Sequence, residues 1–292
     1  MDQAQSLREY MQRFQVQKQK QPRVITITSG KGGVGKSNFT INFALALKAA
    51  GKKVIVLDLD LTTANINILM GVIPKYNLAD VLISNKSIWD VLEIGTGGIE
   101  YLAGGIDLHD VPNLEQNSLG FFMNQIQELQ HYADFILLDT GAGISKELVE
   151  CIAASDETIL ITTPEPTAIA DSYAVLKTIV RYHKQSPDVR LVVNRAQSYR
   201  EAVETSRTLK NTCSKFLKMN LPTLGFVMED PHVRQSVKMQ MPFYLSYPKC
   251  EASKNIEEMI HFYLPGYEDK LSATSKGLRG FFEKIFSKGI TL

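Results

Sequence analysis

Residues 30–37 read GKGGVGKS and fit the pattern G-x-x-x-x-G-K-[ST]. A short apolar run at residues 24–28 precedes them, and a helical pattern at residues 36–50 follows. Glycines let backbone N–H groups turn inward around phosphate oxygens, and the helix N-terminus adds the positive end of its dipole. A plain glycine-rich turn is the alternative. The strand–loop–helix setting instead favours a nucleotide site, with Lys36 on the β- and γ-phosphates and Ser37 on Mg²⁺.

The alternation of short apolar runs and helical patterns continues along the chain. Predicted strands lie at residues 24–28, 53–57, 135–139, 158–162, 190–194 and 223–227. Predicted helices lie at residues 36–50, 119–130, 167–183, 201–219 and 253–264, and Gly51 is placed to end the first of them. Continuous apolar strands are typical of a parallel sheet covered on both faces. The pattern predicts one doubly wound, mostly parallel α/β domain over residues 23–264.

Composition excludes several classes of protein. The 292 residues are 44% hydrophobic with a formal net charge of +1, as in an ordinary globular protein. The three cysteines, Cys151, Cys213 and Cys250, form no Cys-x-x-Cys pair, which argues against a metal or redox site. No run approaches the roughly 18 apolar residues of a spanning helix, and no signal peptide is evident. We therefore expect a cytoplasmic protein whose contact with a membrane, if any, is peripheral.

Carboxylates follow two of the predicted strands. Asp58 and Asp60 come at and after the end of the second strand, and Asp139 ends the third. Acids at the carboxyl ends of parallel strands lie next to the phosphate loop, where Mg²⁺ and the attacking water must be held. A strand-terminal Asp is by itself a common turn former. Together with the phosphate loop, these acids predict metal-assisted hydrolysis.

The second lysine of the loop is more specific than the pattern as a whole. Lys31 follows the first glycine directly, and this arrangement resembles the deviant Walker A loop of the MinD/ParA ATPases. The resemblance implies that Lys31 crosses a dimer interface to the partner's ATP, so that the γ-phosphate gates dimerisation. It also implies Mg-dependent ATP hydrolysis, with Lys31, Lys36 and Asp60 as the catalytic residues.

The resemblance assigns roles along most of the chain. Residues 58–65 resemble switch I, which implies that Asp60 positions the water, Asp58 holds the metal's water shell and Asn65 lies near the γ-phosphate; residues 62–64 depart from the usual Gly-rich turn. Asp139 with Gly141 and Gly143 resembles the Walker B strand and switch II, where Gly141 or Gly143 sends an N–H to the γ-phosphate. Ser37, Asp58 and Asp139 are thus the expected metal residues.

The base side of the site is assigned in the same way. Asn194 and Arg195 resemble a dipeptide whose Asn reads adenine, and residues 225–230 resemble the loop beside the base, with Met228 in place of the usual Pro. Residues 163–167, near Asp171, resemble the family's T/N-P-E segment. The full expected nucleotide-binding set is Gly30, Lys31, Gly32, Gly33, Val34, Gly35, Lys36, Ser37, Asn38, Asn65, Asn194, Arg195, Val227, Glu229 and Asp230.

A tail, residues 277–292, follows a linker at residues 265–276. Its apolar residues recur at helical spacing and share one face: Leu278, Phe281, Phe282, Ile285 and Phe286. Lys284 and Lys288 are among the cations around that face. Such a helix is typical of a membrane interface carrying anionic lipid, and it resembles the MinD membrane-targeting tail. A terminal helix packed on its own domain is the alternative.

An arm, residues 1–22, precedes the domain. It begins DQAQSLR after Met1, which reads in isolation as a disordered polar leader. The run resembles the D-Q-A-x-x-L-R motif of the FlhG subfamily (YlxH, FleN) of MinD-type ATPases, where the segment stimulates the GTPase FlhF. The resemblance implies partner contacts through Asp2, Gln3, Ala4, Leu7 and Arg8.

These resemblances imply an ATP-dependent dimerising switch that controls flagellar number and placement. The expected partners are a second copy, an FlhF-type GTPase, flagellar basal-body (C-ring) proteins and anionic membrane lipid, with no DNA. Binding to the membrane would be reversible. A division-site MinD is the nearest alternative, and the arm argues against it. A DNA-partitioning ParA would need a basic surface instead of the tail, and a non-hydrolysing scaffold is a further alternative. The lack of a Cys-x-x-Cys pair disfavours an iron–sulfur scaffold.

Overall fold

The computed structural model describes residues 21–60, 65–104, 116–129, 132–182 and 188–264. The predicted arm contacts Asp2, Gln3, Ala4, Leu7 and Arg8 lie outside the described residues. So do the switch I stretch 62–64, the linker 265–276, and the tail 277–292 with its predicted membrane residues. No helix in the described ranges is long and apolar enough to cross a membrane.

Eight strands form one sheet. They are β1 Arg23–Ser29, β2 Val54–Leu59, β3 Glu93–Ile94, β4 Glu100–Leu102, β5 Phe135–Thr140, β6 Glu157–Thr162, β7 Val189–Ala196 and β8 Thr223–Met228. Their order is β3-β4-β2-β5-β1-β6-β7-β8, and every pair is parallel except β3 with β4. The six predicted strands and the doubly wound topology are confirmed. The short strands β3, at the sheet's edge, and β4 beside it were missed, since two or three residues are too few to show a periodicity.

The described helices are α1 Lys36–Ala49, α2 Asn65–Leu69, α3 Leu78–Ile83, α4 Ile88–Val91, α5 Gln116–Leu129, α6 Lys146–Ala154, α7 Pro166–Tyr182, α8 Tyr199–Thr212, α9 Pro231–Lys238, α10 Phe243–Ser246 and α11 Glu251–Ile260. Helix α1 ends where Gly51 takes a φ of 80° and donates its N–H to the Lys48 carbonyl, as the sequence predicts. The sequence misses α2, α3, α4, α6, α9 and α10.

Two predicted helices are shorter than expected. The prediction at residues 201–219 is wrong at its end, because α8 stops at Thr212 and a π-helical turn, Cys213–Leu217, follows. The prediction at residues 253–264 is also wrong in detail, since α11 covers Glu251–Ile260 and a 3₁₀ turn, His261–Tyr263, completes it. Apolar periodicity continues through both turns, so sequence alone could not separate them from the helices.

Three hydrophobic clusters hold the layers together. One face of the sheet packs on α1 and α11, through residues such as Phe43 and Ile256. The other face carries two clusters, one beneath α3 to α6 and one beneath α6 to α8. Because seven strands are mutually parallel, their carboxyl ends share one edge, here called the upper edge, and their amino ends share the opposite, lower edge. The upper edge carries the residues that the sequence singles out.

Candidate functional site

The phosphate loop turns from β1 into α1 at the upper edge. Gly35 has a φ of 91° and is the N-cap of α1, and Gly33 has a φ of 80°, both in the region that favours glycine. A Cβ at Gly30 would collide with the backbone of Asp171 and Ser172 in α7, whereas one at Gly32 would meet no protein atom within 4 Å. The loop therefore leaves open space above its backbone, as a cradle for phosphate requires.

Lys36 and Asp139 form a buried ion pair beneath the loop. Lys36 Nζ lies 2.9 Å from Asp139 Oδ1 and 3.3 Å from Ser37 Oγ. The Thr40 hydroxyl donates to the same Asp139 oxygen at 2.8 Å. The two paired side chains are 7% and 0% exposed. Asp139 Oδ2, by contrast, is buried and has no hydrogen-bond partner among the described residues.

Asp58 adds a second buried carboxylate to this pair. It stands opposite Asp139 in the β2–β5 register and accepts the Asp60 N–H at 3.0 Å. Burial, and then the charge of Asp139, raise the pKa of Asp58 to about 7, while the Asp60 and Ile66 N–H groups and Lys36 act in the opposite direction. Two carboxylates thus share one lysine, so the site lacks positive charge.

The oxygens gathered here suit Mg²⁺, which prefers carboxylate, hydroxyl and water ligands. The unpartnered Asp139 Oδ2, the Ser37 hydroxyl and the Asp58 carboxylate are the groups that would hold the ion and its waters. Within the described ranges, no group of three or more His, Cys, Asp or Glu side chains is arranged to hold a metal ion. A magnesium ion bound together with a nucleotide fits this donor set.

The two switch segments meet beside these carboxylates. A Cβ at Gly141 would lie 3.9 Å from Asp60 Oδ1, which places the Asp60 carboxylate next to the turn after β5. Asn65 begins α2, and the N–H of the following Ile66 points to Asp58 Oδ2 at 3.5 Å. Gly143 donates its N–H to the Ser29 carbonyl at 3.0 Å. The predicted contact to a γ-phosphate would therefore require Gly143 to release this bond, which leaves Gly141 as the better candidate.

Lys31 lies at the exposed rim of the loop. Its Nζ is 2.8 Å from Glu165 Oε2 and 3.0 Å from the Thr167 hydroxyl, both in the segment that enters α7. The hydrogen bond and the charge of Lys31 lower the pKa of Glu165. Both charged side chains are exposed, at 39% and 53%, so water screens the pair and exchange of its partner costs little.

A cavity of about 230 Å³ opens next to the loop on the α1 side of the sheet. Seven of the predicted nucleotide residues line it: Gly35, Asn38, Asn194, Arg195, Val227, Glu229 and Asp230. Sequence reasoning missed Phe39, Val233, Arg234, Val237, Phe243 and Ile256, which complete the wall. The i, i+4 spacing of Val233 and Val237 on α9 was a usable signal. Mostly apolar walls with a few polar groups suit a planar base.

Two residues that are predicted to contact the base make hydrogen bonds to the protein itself in this structure. Asn194 Nδ2 donates to the Val34 carbonyl at 2.7 Å, so its amide supports the phosphate loop. Asp230 caps α9 by accepting the His232 N–H at 2.9 Å, and it also accepts the Ala252 N–H at 3.3 Å. Burial by itself would raise the pKa of Asp230, but these bonds lower it. The Asp230 carboxylate therefore shapes the pocket, and the nucleotide contacts expected of Asn194 and Asp230 stay predictions.

Known proteins with similar sequences share this architecture. The ParA family model, described as NUBPL iron-transfer P-loop NTPase, matches residues 20–263. The antiactivator FleN of Pseudomonas aeruginosa is 34% identical over 231 residues, covering 79% of this chain and 82% of that protein. The flagellum site-determining protein YlxH of Helicobacter pylori is 29% identical, with coverage of 90% and 89%. The solved cell division ATPase MinD of Pyrococcus furiosus superposes with a TM-score of 0.64 at 26% identity, over 82% of this chain and 97% of that chain.

Proposed function

The chain belongs to the ParA/MinD family of P-loop NTPases, and from that premise we propose that it is an ATP-dependent dimerising switch that controls flagellar number and placement. One observation carries the proposal. Beneath the phosphate loop, the buried carboxylates of Asp58 and Asp139 have one lysine between them, and Asp139 Oδ2 has no hydrogen-bond partner within the described residues. Lys31 lies at the exposed rim of the loop. The site is built to respond to an incoming phosphate and cation.

The chemistry follows from these positions. Loop N–H groups and Lys36 would hold the β- and γ-phosphate oxygens, and Asp60 would orient a water towards the γ-phosphorus. The water oxygen would bond to the γ-phosphorus as the bond from that phosphorus to the β–γ bridging oxygen breaks. The electron pair of the broken bond would leave with ADP, and the proton that the water loses would pass to the released phosphate. Bound Mg²⁺ would supply charge neutralisation at the phosphate oxygens. Product ADP lacks the γ-phosphate, so hydrolysis resets the switch.

Dimerisation would use Lys31. In the single chain this lysine rests on Glu165 and Thr167, and both contacts are exposed. Exchanging Glu165 for the γ-phosphate of a second subunit's ATP replaces a weak surface pair with a charge-assisted one in a closed interface. The γ-phosphate is thereby sensed in trans.

The flagellar assignment rests on the relatives and on the arm. YlxH is named a flagellum site-determining protein and FleN an antiactivator, and both align with most of this chain. The arm begins DQAQSLR after Met1, the motif for which we propose contact with an FlhF-type GTPase. Basal-body C-ring proteins are the further proposed partners, and the amphipathic tail is the proposed anchor to anionic lipid.

The direct test measures GTP hydrolysis by an FlhF-type GTPase. The full chain should stimulate it, and a chain lacking residues 1–20 should not, because the proposed contacts lie in that segment. A Leu7→Ala, Arg8→Ala variant should behave like the truncated chain. An Arg13→Ala change, in the same arm but outside the motif, is the matched control. Equal stimulation with and without residues 1–20 would remove the flagellar assignment and leave the ATPase.

The membrane anchor is tested separately by sedimentation with vesicles containing anionic lipid. With ATP the chain should pellet, and with ADP it should remain largely in the supernatant, because a pair of short helices binds far better than one. With ATP, Phe282→Glu should lower the pelleted fraction to the low level seen with ADP. Equal pelleting of Phe282→Glu and the unchanged chain would reject the tail as the anchor.

A division-site function of the MinD type is the second candidate, favoured by the likeness to the Pyrococcus furiosus MinD structure. The two candidates differ in what a deletion strain should show. Loss of a flagellar regulator changes the number and position of flagella, whereas loss of a division-site protein displaces septa. Misplaced septa with normal flagella would favour the second candidate.

A further inference from the structure

The end of α8 forms an unusual exposed corner. After Thr212 the chain makes a π-helical turn, Cys213–Leu217, and Lys218 then takes a left-handed φ of 52° with its N–H on the Cys213 carbonyl. Cys213 is fully buried and fixes the turn to the core. The turn directs Phe216 outward, where it is 63% exposed, with Lys215 Nζ 5.2 Å from the centre of its ring.

Two more lysines lie in the same stretch of chain as this aromatic ring. A shallow hollow of about 480 Å³ is lined by Lys210, Asn211, Ser214, Lys218, Met219, Asn220 and Leu221. We call Lys210, Lys215, Phe216 and Lys218 the basic knuckle. Sequence positions 205–228 contain no Asp or Glu. Within the described part of the chain, none of the three lysines is ion-paired with a carboxylate. The knuckle therefore combines an exposed aromatic side chain, with Lys215 beside its ring, and two further lysines that line the hollow, and none of these charges is compensated by a carboxylate within the described residues.

The knuckle lies at the lower edge, where the described chain also ends. The turn leads directly to the start of β8. At the same edge, the Tyr263 hydroxyl donates to Glu157 at the start of β6, 2.8 Å away, and Glu157 contacts Arg190 at the start of β7. Tyr263, near the end of the described residues, therefore contacts the edge that carries the knuckle.

We propose that the basic knuckle is a second contact to an anionic lipid bilayer, made by a single subunit whatever nucleotide it holds. It deepens the membrane attachment assigned above to the tail, and it rests on that proposal. Lysines supply attraction to lipid phosphates, and a ring held among them lies at headgroup depth. Phosphate groups of DNA would need the lysines only, so the exposed ring favours lipid. A rigid second contact also raises the effective concentration of the tail at the surface.

The contribution of the knuckle lysines is tested by measuring partition of the chain into vesicles that contain 30% phosphatidylglycerol. The full chain carries Phe282→Glu, which weakens binding by the tail. Adding Lys215→Gln and Lys218→Gln should lower the partition coefficient about 5-fold for each lysine, in ADP as in ATP. The matched control is Lys249→Gln with Lys254→Gln, two exposed lysines at the start of α11, near the upper edge. These two control substitutions should change the partition coefficient little. Equal effects of the two pairs, or none, would overturn the proposal.

Fluorescence tests whether the side chain at position 216 lies at the depth of the lipid headgroups. A Trp89→Phe, Phe216→Trp chain with an intact tail should be quenched by lipids brominated near the headgroup. A Trp89→Phe, Tyr199→Trp chain should not, although Tyr199, at the other end of α8, is 69% exposed. An unquenched Trp at position 216 on vesicles that still bind the chain would reject the knuckle and leave the tail in place. An unchanged chain that fails to bind with ATP would instead reject the membrane function itself.

The same lysine variants test whether the basic knuckle binds DNA instead of lipid. Retention on double-stranded DNA that falls steeply with salt and disappears in Lys215→Gln, Lys218→Gln, with vesicle partition unchanged, would assign the knuckle to nucleic acid and overturn the proposal.

Discussion

The two edges of the sheet bury carboxylates in opposite ways. At the lower edge, Glu157 is fully buried between Arg23 and Arg190, and it also accepts the Tyr263 hydroxyl. At the upper edge, Asp58 and Asp139 share Lys36, and one Asp139 oxygen has no partner within the described residues. In the lower group, two arginines form ion pairs with one carboxylate. The upper group has the reverse ratio.

This difference separates a structural cluster from a functional one. Both groups are buried and charged, so burial alone identifies neither. Burial raises the pKa of Glu157 even though both arginines oppose the shift, and it raises the pKa of Tyr263. What distinguishes the upper edge is that its deficit of positive charge lies beneath the glycine-rich loop for which we propose phosphate binding. Each prediction below changes a residue at one of the two edges.

Lys36→Ala should give the largest effect, a loss of roughly 10²–10³ in ATP turnover at saturating ATP and Mg²⁺, because one preorganised donor to the phosphates is removed. Phosphate release measures it, and Lys36→Gln checks that the loss does not come from unfolding. Lys53→Ala is the matched control, since this lysine is paired with Glu100 near the lower edge at 2.8 Å. Turnover within threefold of normal in Lys36→Ala would contradict the phosphate role.

Glu157→Ala should lower the free energy of unfolding by about 3 kcal/mol, because Arg23 and Arg190 are left without their shared acid. Denaturant titration measures it. Affinity for a fluorescent ATP analogue should stay within about twofold, since the change is at the lower edge. An unchanged stability together with lost nucleotide binding would reverse the assignment of the two edges.

Asp58→Asn should stabilise the protein without metal and nucleotide at pH 8 by up to about 4 kcal/mol, and very little at pH 4. The pKa of Asp58 is about 7 when folded and near its ordinary value when unfolded. Between roughly pH 4 and 7 the unfolded chain binds fewer protons, so stability falls as pH rises, and above about 7 the full cost remains. Unfolding with EDTA present at both pH values tests this. A variant less stable than the parent at pH 8 would show that the Asp58 charge is already compensated.

Glu165→Gln should have the smallest effect, a tightening of ATP-dependent dimerisation by at most about 5-fold, because an exposed ion pair no longer holds Lys31. Concentration-dependent sedimentation measures it, with Glu204→Gln as control, since Glu204 is exposed and pairs with Arg200. Weaker dimerisation of Glu165→Gln would mean that Glu165 stabilises the dimer.

The sequence was sufficient for the features that depend on neighbouring residues. Loop glycines, apolar strands and the acids that end them all identify themselves by spacing, and the predicted topology is confirmed. The sequence was insufficient where the role of a residue depends on contacts between helices or strands that are distant along the chain. Asp230 looked like a ligand residue but caps α9, and Phe243 reaches the pocket from a four-residue helix that no periodicity reveals. The π-turn after Thr212 keeps the helical pattern, so only the structure shows the corner it creates.

Light scattering of the Asp60→Ala chain, in which ATP should persist, tests the central claim most directly. With Mg-ATP the mass should double relative to Mg-ADP, and adding Lys31→Ala should return it to that of one subunit in both nucleotides. If the Lys31→Ala chain still doubles in mass with ATP, the γ-phosphate is not sensed across two subunits, and the proposed switch is wrong.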